Sequence, residues 1–507
     1  MKNICRLLPL MLATLVFILP GCKKDFLEQK PTSTVLTYYK NVEELENGLV
    51  ACYAALRYTG FDNVEWLFGD IGSDDADKGS FAGDQPELQS ISLSRQDASN
   101  GWVSQPWFGY YSIINKCNLV IDNSPLTKGD TTKIRDIINQ AKFLRALSFY
   151  HLLSLYGDVP LVTSYLNPDE LKLKRDPVSE VWSQIESDLI SATNLPLTAE
   201  SGRITSGAAY SLLGKVYLTE QKYDAANFAF HKVISSGHYQ LVPDYGSIFR
   251  HEGENNIESI FEIQHKSDIV SGGSMGTSSV VWRLPRDNGQ PGWGFDAPTN
   301  NLLNEFEDGD PRIIYTFIFR GDVFPSGAGT YTVENTDSPS GLQARKAWIP
   351  ESERENLGWW EWDYNWRYMR YAEVLLLYSE SLNEVNKPDS ARLFLNMVRE
   401  RARNTPTIDP QRVSCARDLS HSGPLLPDVT TSNKSDLRNV IWHEQRVEFA
   451  IEGHRRNMLL RIRQFKECME AAKGDEGCKV EPYELLLPIP KREIELSNNV
   501  LIQNPGY

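Results

Sequence analysis

Apolar residues recur every three to four positions along much of the chain, and this spacing is typical of helices that bury one face. The first such stretch follows Asn41, whose side chain can cap a helix, and Glu44 stands where it completes a capping box. The pattern therefore predicts a helix that begins at Asn41 and packs against a core. Its apolar face consists of Val42, Leu45, Leu49, Cys52 and Leu56.

Three more helices are predicted in the first half of the chain. The clearest has an apolar face over Ile134–Leu152 and ends at Gly157, which favours a left-handed stop, and Pro160 prevents its resumption. Weaker patterns predict one helix from near Trp107 to Ile121 and another over residues 177–194.

Residues 206–236 match the pattern of a tetratricopeptide repeat, in which two antiparallel helices pack closely. Small residues at two fixed positions let the helices approach, and large residues fill the space around them. A second, weaker copy begins at Tyr371, with Ser379 and Ala391 at the small positions. The first copy is carried by Tyr210, Leu213, Gly214, Tyr217, Ala226 and Phe230.

Two long stretches lack helical periodicity. Residues 59–101 are rich in Gly, Ser and Asp and are predicted to be irregular, whereas the stretch 240–365 combines Pro, Gly, Asp, Asn and Trp with short strand-like pieces. Loops of this length inside a compact chain usually carry function. We therefore predict a mostly α body with tetratricopeptide-like helix pairs and a loop-rich, partly β ligand-binding region. The predicted parts are residues 41–239, 240–365 and 366–507, and the strand-like pieces are Ile257–Ile263 and Ile313–Phe319.

Composition narrows the class of protein. The 507 residues are 41% hydrophobic and 23% charged, as in ordinary globular proteins, and the formal net charge of −15 is unsuited to binding nucleic acid. The 12 Trp and 22 Tyr residues could fill a core or offer flat faces to a ligand. The sequence contains no G-x-S-x-G, H-E-x-x-H or Walker motif, so no enzyme class is indicated.

The first 22 residues indicate export. Two basic residues precede an apolar run over Leu7–Leu19, which is too short to span a bilayer and suits a signal peptide. A Leu-Pro-Gly-Cys sequence that ends at Cys22 then resembles a bacterial lipoprotein cleavage site. We expect residues 1–21 to be removed, Cys22 to be acylated and residues 22–40 to form a tether. An ordinary secretory signal followed by an incidental Cys is the alternative.

Cysteine positions say little about disulfides. Once the signal peptide is removed and Cys22 is acylated, five of the seven Cys remain, and this odd number implies no complete disulfide framework. Cys52 and Cys117 lie on apolar helical faces and are interpreted as core residues. Cys468 and Cys478 flank a short polar loop, so a bond between them stays open. No Cys and His spacing is typical of a zinc site.

Five stretches together carry a specific combination of motifs. They are CKKDFLEQKP at Cys22–Pro31, AKFLRALSFYHLLSLYGDVPL at Ala141–Leu161, YMRYAEVLLLYSESLNE at Tyr368–Glu384 with Arg399–Ala402, Glu444–Arg455, and LLLPIPKREIELSNNVLIQNPGY at Leu485–Tyr507. This combination resembles the SusD/RagB-like proteins, a family of outer-membrane nutrient-binding lipoproteins, and the final QNPGY is its most specific part. The chain departs from the family pattern at Gln445, where Arg is usual, and at Asn457-Met458, where an aromatic residue and Asp are usual.

The resemblance implies a SusD-like α-rich fold on the outer face of the outer membrane. There such a protein covers a SusC-like TonB-dependent transporter, captures an oligomeric nutrient and delivers it without catalysing a reaction. The shared motifs are structural, and Arg145 and Arg370, on apolar helical faces, are expected to pair with carboxylates. Glycan is the favoured cargo because of the many aromatic residues, whereas proteins that resemble RagB serve peptide uptake.

A glycan site needs an aromatic face for the apolar side of a pyranose ring and polar groups for its hydroxyls. Three loop clusters, near residues 74–102, 282–293 and 348–364, meet this requirement. Each of their members also has an alternative role as a core or turn residue. The candidate ligand-binding residues are Trp102, Trp282, Arg286, Asn288, Trp293, Trp359, Trp360, Trp362 and Tyr364.

Three alternatives accompany this hypothesis. Asp74, Asp75 and Asp77 could hold a structural calcium, but they lack EF-hand spacing and a solvated loop is preferred, so no cofactor is expected. A glycoside hydrolase would need two carboxylates that face each other across a cleft, and no pair among the 67 acidic residues stands out. The tetratricopeptide-like pairs would also suit a pure protein-interaction scaffold.

Overall fold

The computed structural model describes residues 39–57, 64–166, 170, 172–265, 280–286, 292–327, 329–334, 338–354 and 363–507. Helices account for 52% of residues and strands for 9%, which confirms the mostly α fold. A π-helix covers Glu65–Ile71. The α-helices are α1 (Val42–Ala55), α2 (Pro86–Ser92), α3 (Gly101–Asn123), α4 (Thr131–Tyr156), α5 (Val178–Ala192), α6 (Ser206–Thr219), α7 (Tyr223–Ser235), α8 (Val280–Arg283), α9 (Asn300–Leu303), α10 (Ile313–Thr316), α11 (Glu351–Arg354), α12 (Tyr371–Glu384), α13 (Pro388–Arg403), α14 (Lys434–Glu448), α15 (Arg455–Ile462), α16 (Phe465–Lys473) and α17 (Lys491–Leu496).

Local capping sets the ends of the predicted helices. The amide of Glu44 donates to the Asn41 side chain at 2.9 Å, so α1 begins where the capping pattern predicts. At the C-terminal end of α4, Gly157 adopts a φ of 74° and stops the helix, as predicted. None of the helices within the described ranges has the length and apolar character needed to cross a membrane.

The predicted start of α3 and the irregular stretch before it are wrong. α3 begins at Gly101, six residues before Trp107, and the Asn100 side chain caps it by accepting from the amide of Trp102. Pro106 lies inside this helix. Because Pro usually breaks a helix, the sequence pattern predicts a start after Pro106 rather than before it. The stretch interpreted as irregular holds the π-helix, the strand β1 (Ala76–Gly79) and α2.

The tetratricopeptide-like pairs form as the small residues predict. α6 packs beside α7, α7 beside α12, and α12 beside α13. A Cβ atom on Gly214 would come within 2.5 Å of the Phe230 ring, so only Gly permits the observed approach of α6 and α7. In the second pair, the Ser379 hydroxyl donates to the Ala391 carbonyl at 2.7 Å.

All four described sheets are two-stranded and antiparallel. β1 pairs with β3, β2 with β8, β4 with β7, and β5 with β6. The Ile257–Ile263 prediction is confirmed by β2, whereas Ile313–Phe319 begins as the short helix α10 and only ends as β4. The strands are β1 (Ala76–Gly79), β2 (Ser259–Ile263), β3 (Phe295–Pro298), β4 (Phe317–Phe319), β5 (Val323–Ser326), β6 (Gly329–Thr332), β7 (Leu342–Ala344) and β8 (Trp366–Arg370).

Buried ion pairs join the helices to one another and to the loop-rich region. Arg145 in α4 makes a bidentate pair with Asp188 in α5, with both N···O distances at 2.8 Å. Arg370 at the end of β8 contacts three buried carboxylates within 3.0 Å. Both Arg residues therefore pair with carboxylates, as expected. The partners of Arg370 are Glu258, Glu448 and Glu452.

Candidate functional site

Trp282 brings together aromatic residues that are far apart in the sequence. Its ring stacks on Trp66 at 6.1 Å, meets Trp102 edge-on at 5.3 Å and meets Trp293 edge-on at 4.1 Å between centroids. Trp282 also packs against the small apolar cluster that contains Tyr364. One member of each candidate cluster, Trp102, Trp282 and Tyr364, therefore lies at this place.

A cleft lies beside this group, and its roughly 570 Å³ of space between atoms includes the open solvent at its mouth. We call it the tryptophan cleft, because Trp66 and Trp366 both line it. Trp366, at the start of β8, is half-buried, whereas Trp66 in the π-helix is buried. Aromatic faces with polar groups around them suit a sugar ring with its hydroxyls. The polar and charged groups of the lining are Glu65, Asp70, Arg283, Lys346, Tyr364, Asn365, Arg367 and Glu452.

The Arg283 guanidinium is held in place at the cleft wall. Its Nε donates to Asp296 at 2.7 Å, and its Nη2 donates to the Ile451 carbonyl at 2.8 Å. The Asp70 carboxyl lies 4.0 Å from the same guanidinium and accepts from the Gly453 amide at 2.9 Å. Burial raises the pKa of Asp70 well above its usual range and raises the pKa of Asp296 to about 6.

Glu65 forms a second polar group of the lining, between the cleft and the helical core. Its Oε1 lies 3.4 Å from Nδ1 of His151, and Nε2 of His151 lies 2.6 Å from the Tyr368 hydroxyl. Burial raises the pKa of Glu65 to about 8 and lowers the pKa of His151 to about 3. Both groups are therefore neutral near pH 7, and this part of the lining carries no charge.

The back wall of the cleft is fixed by internal hydrogen bonds. The Tyr364 hydroxyl donates to the Phe249 carbonyl, and the Arg367 guanidinium lies over the Tyr364 ring at 4.3 Å. The Asn365 side chain accepts from the His265 amide at 2.8 Å and donates to Glu262 at 3.1 Å. These groups are buried and internally paired, so they shape the cleft rather than reach into it.

Among the candidate residues that the structure describes, Arg286 is the exposed one. Its guanidinium stacks on the Phe81 ring at 4.6 Å and donates to the Ser80 hydroxyl at 3.3 Å. The Arg286 side chain is 44% exposed and Phe81 is 46% exposed, so this pair offers a flat surface to solvent. Its backbone also packs against Gly294, next to Trp293.

The remaining candidates divide into two groups. Trp102 is buried behind Trp282, so it supports that ring and presents little surface of its own. Trp348, from the third cluster, is also buried and packs on Phe324 in a different hydrophobic cluster. Four candidates lie outside the described residues: Asn288, Trp359, Trp360 and Trp362.

The acidic cluster at Asp74, Asp75 and Asp77 is not a solvated loop. Arg455 pairs with Asp74 at 2.8 Å and Arg446 pairs with Asp75 at 2.8 Å, so guanidinium groups occupy the oxygens that a calcium ion would need. All three aspartates are buried. Among the described residues, no group of three or more His, Cys, Asp or Glu side chains is arranged to hold a metal ion.

Sequence reasoning missed Trp66, Glu65 and Asp70, and it interpreted Trp366 as core. The first three lie in the stretch interpreted as irregular, and they form the π-helix that faces the cleft. A π-helix in a loop-rich stretch has no periodic signal, although such turns are frequent at functional sites. Trp366 could have been found from its position beside the Trp-rich loop.

Comparison with known proteins identifies the family. One family model, described as the SusD family, matches residues 257–507, and another, described as starch-binding associating with outer membrane, matches residues 25–218. The chain belongs to the SusD/RagB family, whose members are non-catalytic binding proteins associated with the outer membrane.

Relatives match along nearly the whole chain. SusD-like protein P2 of Formosa agariphila is 28% identical, and the match covers 97% of this chain and 98% of the relative. Starch-binding protein SusD of Bacteroides thetaiotaomicron is 27% identical over 42% of this chain and 39% of its own length. Among solved structures, a laminarin-binding SusD-like protein has a TM-score of 0.76 at 26% identity, covering 92% of this chain and 100% of the other.

Proposed function

We propose that this chain is a cell-surface lipoprotein that captures a neutral oligosaccharide in the tryptophan cleft and delivers it to a SusC-like TonB-dependent transporter. The observation that carries the proposal is the convergence of Trp66, Trp282, Trp293 and Trp366 beside one cleft in a member of a binding-protein family. Stacking on the apolar face of a pyranose ring supplies the affinity, and polar groups of the lining orient the hydroxyls.

Charge favours a neutral glycan. The formal net charge is −15, which repels an acidic polysaccharide at a distance. Arg283 and Lys346, the cations nearest the cleft, already pair with Asp296 and Glu452 at 2.7 Å. Arg367, the third cation of the lining, donates to the Asn365 and Arg250 carbonyls at 2.7 and 2.6 Å. Each described cation of the lining therefore already has partners, and a β-glucan such as laminarin, which a structural relative binds, is the first candidate.

The Trp-rich loop before Asp363 belongs to the same proposal. Trp362 lies four residues before Trp366, so the chain between them spans at most about 14 Å. Trp359 and Trp360 precede Trp366 by seven and six residues. We include these three Trp side chains, together with Asn288 and Arg286, as ligand contacts of the outer rim.

Attachment to the membrane completes the proposal. Acylation of Cys22 after removal of residues 1–21 would anchor the body through its tether, and several acyl chains hold a protein firmly at a bilayer. The acidic body would then stand on the outer face of the outer membrane, above the transporter that takes up the captured glycan.

Isothermal titration of the full chain in detergent with laminarin, starch, a uronate-containing polysaccharide and an oligopeptide library tests the capture step. We expect selective binding of a neutral glucan, and Trp366→Ala should weaken it about tenfold, because one stacking contact contributes about 1.4 kcal/mol. Trp442→Ala, on α14 and away from the cleft lining, is the matched control and should bind normally.

The same experiment separates the rival functions. If only oligopeptides bind, the cargo is a peptide and not a glycan, as in proteins that resemble RagB. Release of reducing ends from any of the polysaccharides by the pure chain would contradict a binding-only role. If Trp366→Ala and Trp360→Ala both leave glucan affinity unchanged, the tryptophan cleft is not the site.

A further inference from the structure

Two polar side chains of the tryptophan cleft are more accessible than the rest of its polar lining. Glu65 and Arg283 each have 13% of their side-chain surface exposed. The other polar and charged groups of the lining are at most 8% exposed. A ligand in the cleft therefore meets chiefly these two polar groups beside the Trp rings.

The Glu65 carboxyl group has unused hydrogen-bonding capacity. Its Oε1 lies 3.4 Å from Nδ1 of His151, and no described residue forms a hydrogen bond with the group. Burial raises the pKa of Glu65 to about 8, so the carboxyl is neutral near pH 7. A neutral carboxyl both donates and accepts, as a sugar hydroxyl does. Glu65 can therefore exchange hydrogen bonds with a hydroxyl without the cost of desolvating a charge.

The Arg283 guanidinium has an unused donor. Its Nε and Nη2 donate to Asp296 and to the Ile451 carbonyl, and these two bonds fix the plane of the group. Its Nη1 has no acceptor within the described ranges. A guanidinium is planar and rigid, so a fixed plane directs the remaining N–H groups at one position.

Gly453 and Asp70 connect these two groups in space. A Cβ atom on Gly453 would come within 2.5 Å of the Glu65 Cβ, so the two backbones approach closely. The Gly453 amide donates to Asp70 at 2.9 Å, and Asp70 lies 4.0 Å from the Arg283 guanidinium. The Trp residues that follow Glu65 and precede Arg283 stack with ring centroids 6.1 Å apart. Both polar groups therefore belong to one part of the lining.

We propose that Glu65 and Arg283 select the bound sugar by its hydroxyl pattern. Glu65 exchanges hydrogen bonds with one hydroxyl, and Nη1 of Arg283 donates to the neighbouring oxygen of the same ring. The feature recognised is thus a pair of adjacent hydroxyls on one neutral pyranose unit. This selection rests on the proposed capture of a neutral oligosaccharide in the cleft. Two fixed partners suit one relative orientation of the hydroxyls, so sugars that differ in configuration bind with different affinity.

Stacking and hydrogen bonding then have separate effects. Stacking on Trp366 uses the apolar face of the ring, which many pyranoses share, so it strengthens the binding of many glycans. A hydrogen bond to a fixed partner depends on configuration, because the wrong epimer leaves polar groups of the lining without partners. Substitution of Trp366 should therefore change affinity, whereas substitution of Glu65 should change selectivity as well.

Isothermal titration of the full chain in detergent with laminarihexaose, cellohexaose, mannohexaose and xylohexaose tests this selection. Cellohexaose and mannohexaose share a linkage and differ in the configuration at C2, and xylohexaose lacks the hydroxymethyl group. We expect the wild type to prefer one hexasaccharide by about tenfold or more over its weakest rival. Glu65→Ala should weaken binding of the preferred one about tenfold and reduce the preference to about threefold or less.

Conservative variants separate a direct contact from a structural role. Glu65→Gln still donates and accepts, so it should keep the wild-type preference, with affinity changed by no more than about threefold. Arg283→Lys keeps the charge but loses the planar Nη1 donor, so it should reduce the preference as Glu65→Ala does. Glu495→Ala, at an exposed position outside the lining, is the control and should change neither quantity. Near-ultraviolet circular dichroism checks the fold of each variant.

The outcomes distinguish this selection from the capture that it rests on. If Glu65→Ala keeps the wild-type affinity and preference while Trp366→Ala weakens every hexasaccharide, the selection is wrong and the capture is right. Equal loss of binding in Glu65→Gln and Glu65→Ala also contradicts the selection. A wild type that binds all four hexasaccharides equally, or none of them, overturns it as well. If Arg283→Lys does not fold, the Glu65 variants decide, because neither of them removes a charge at pH 7.

Discussion

The Glu65 side chain keeps 13% of its surface exposed at the cleft and turns its carboxyl group toward neutral His151. Its pKa of about 8 in the folded chain exceeds the usual value of 4.5, so the folded state holds the proton more tightly than the unfolded state. The stability that Glu65 contributes is fully present below pH 4.5 and is lost as the pH rises to about 8.

Glu65→Gln should therefore flatten the alkaline side of the stability profile. We expect the fall in the free energy of unfolding between pH 5 and pH 9 to be smaller than in the wild type by about 4 kcal/mol, because Gln cannot ionise. Urea denaturation at pH 5, 7 and 9 measures this difference. Glu495→Gln, at an exposed position, is the control. Parallel profiles for wild type and Glu65→Gln would show that Glu65 is ionised at neutral pH.

The Arg370 guanidinium is the second residue whose role can be measured. It lies among Glu258, Glu448 and Glu452, and all four side chains are buried or nearly so. Burial tends to neutralise such carboxylates, but the Arg370 charge helps to hold the pKa of Glu452 below its usual range. Removing this one cation leaves buried carboxylates with too few partners.

Arg370→Met should lower the free energy of unfolding by about 3–5 kcal/mol, because breaking one side of a buried ion pair leaves uncompensated charge. Urea denaturation at pH 7 gives the value. Arg135→Met is the control, since Arg135 is 58% exposed in its pair with Asp136 and such pairs contribute less than about 1 kcal/mol. Equal effects of the two substitutions would show that the buried ion pairs of Arg370 stabilise the fold no more than an exposed pair does.

At the scale of elements, the close packing of α6 against α7 requires a residue without a side chain at Gly214. Gly214→Ala places a Cβ within 2.5 Å of the Phe230 ring, and a buried ring of this size has little room to move. We expect a loss of about 1–3 kcal/mol of unfolding free energy, although Ala favours helices more than Gly does. Differential scanning calorimetry measures the loss. Gly474→Ala, where nothing lies within 4 Å of the new Cβ, should change stability little. A neutral or stabilising Gly214→Ala would contradict the close-approach argument.

The elements also show what sequence patterns can and cannot predict. The ends of α1 and α4 were predictable because Asn41 and Gly157 act on neighbouring backbone groups. The start of α3 was not, because Pro106 obscures the helical pattern. Capping interactions involve residues only a few positions apart in the sequence. They therefore determine where a helix ends, but not how helices and strands pack together.

The candidate site illustrates the same limit. Trp102 and Trp282 were predicted in separate clusters, and only the folded chain puts their rings 5.3 Å apart. Trp66 and Trp366 line one cleft from opposite ends of the sequence, because β8 pairs with β2 while the π-helix packs against Gly453. The residue types that suit a sugar could be predicted from the sequence. Their position around one cleft could not, because it results from packing between distant parts of the chain.

At the scale of the whole molecule, the main hydrophobic core of the helices extends into part of the loop-rich region and reaches the cleft. Trp282 and Trp293, from the loop-rich region, pack against the same core as the helices α1, α3 and α4. This rigid body would be held by a tether whose reach is limited, since the chain from Cys22 to Tyr39 spans at most about 60 Å. A cleft so tethered would stay within reach of a transporter in the same membrane.

Cys22→Ala tests this attachment. Under our proposal the acyl chains on Cys22 are the anchor. In a Gram-negative host that lacks a SusC-like transporter, we expect the wild-type chain to sediment with outer membranes after a high-salt wash and the variant to remain in the soluble fraction. Mass spectrometry of the wild type should show a diacylated or triacylated Cys22, and Cys415→Ala, the control, should sediment like the wild type. Sedimentation of Cys22→Ala in this host would mean that another part of the chain binds the membrane, and the tether would then lose its role in placing the cleft above the transporter.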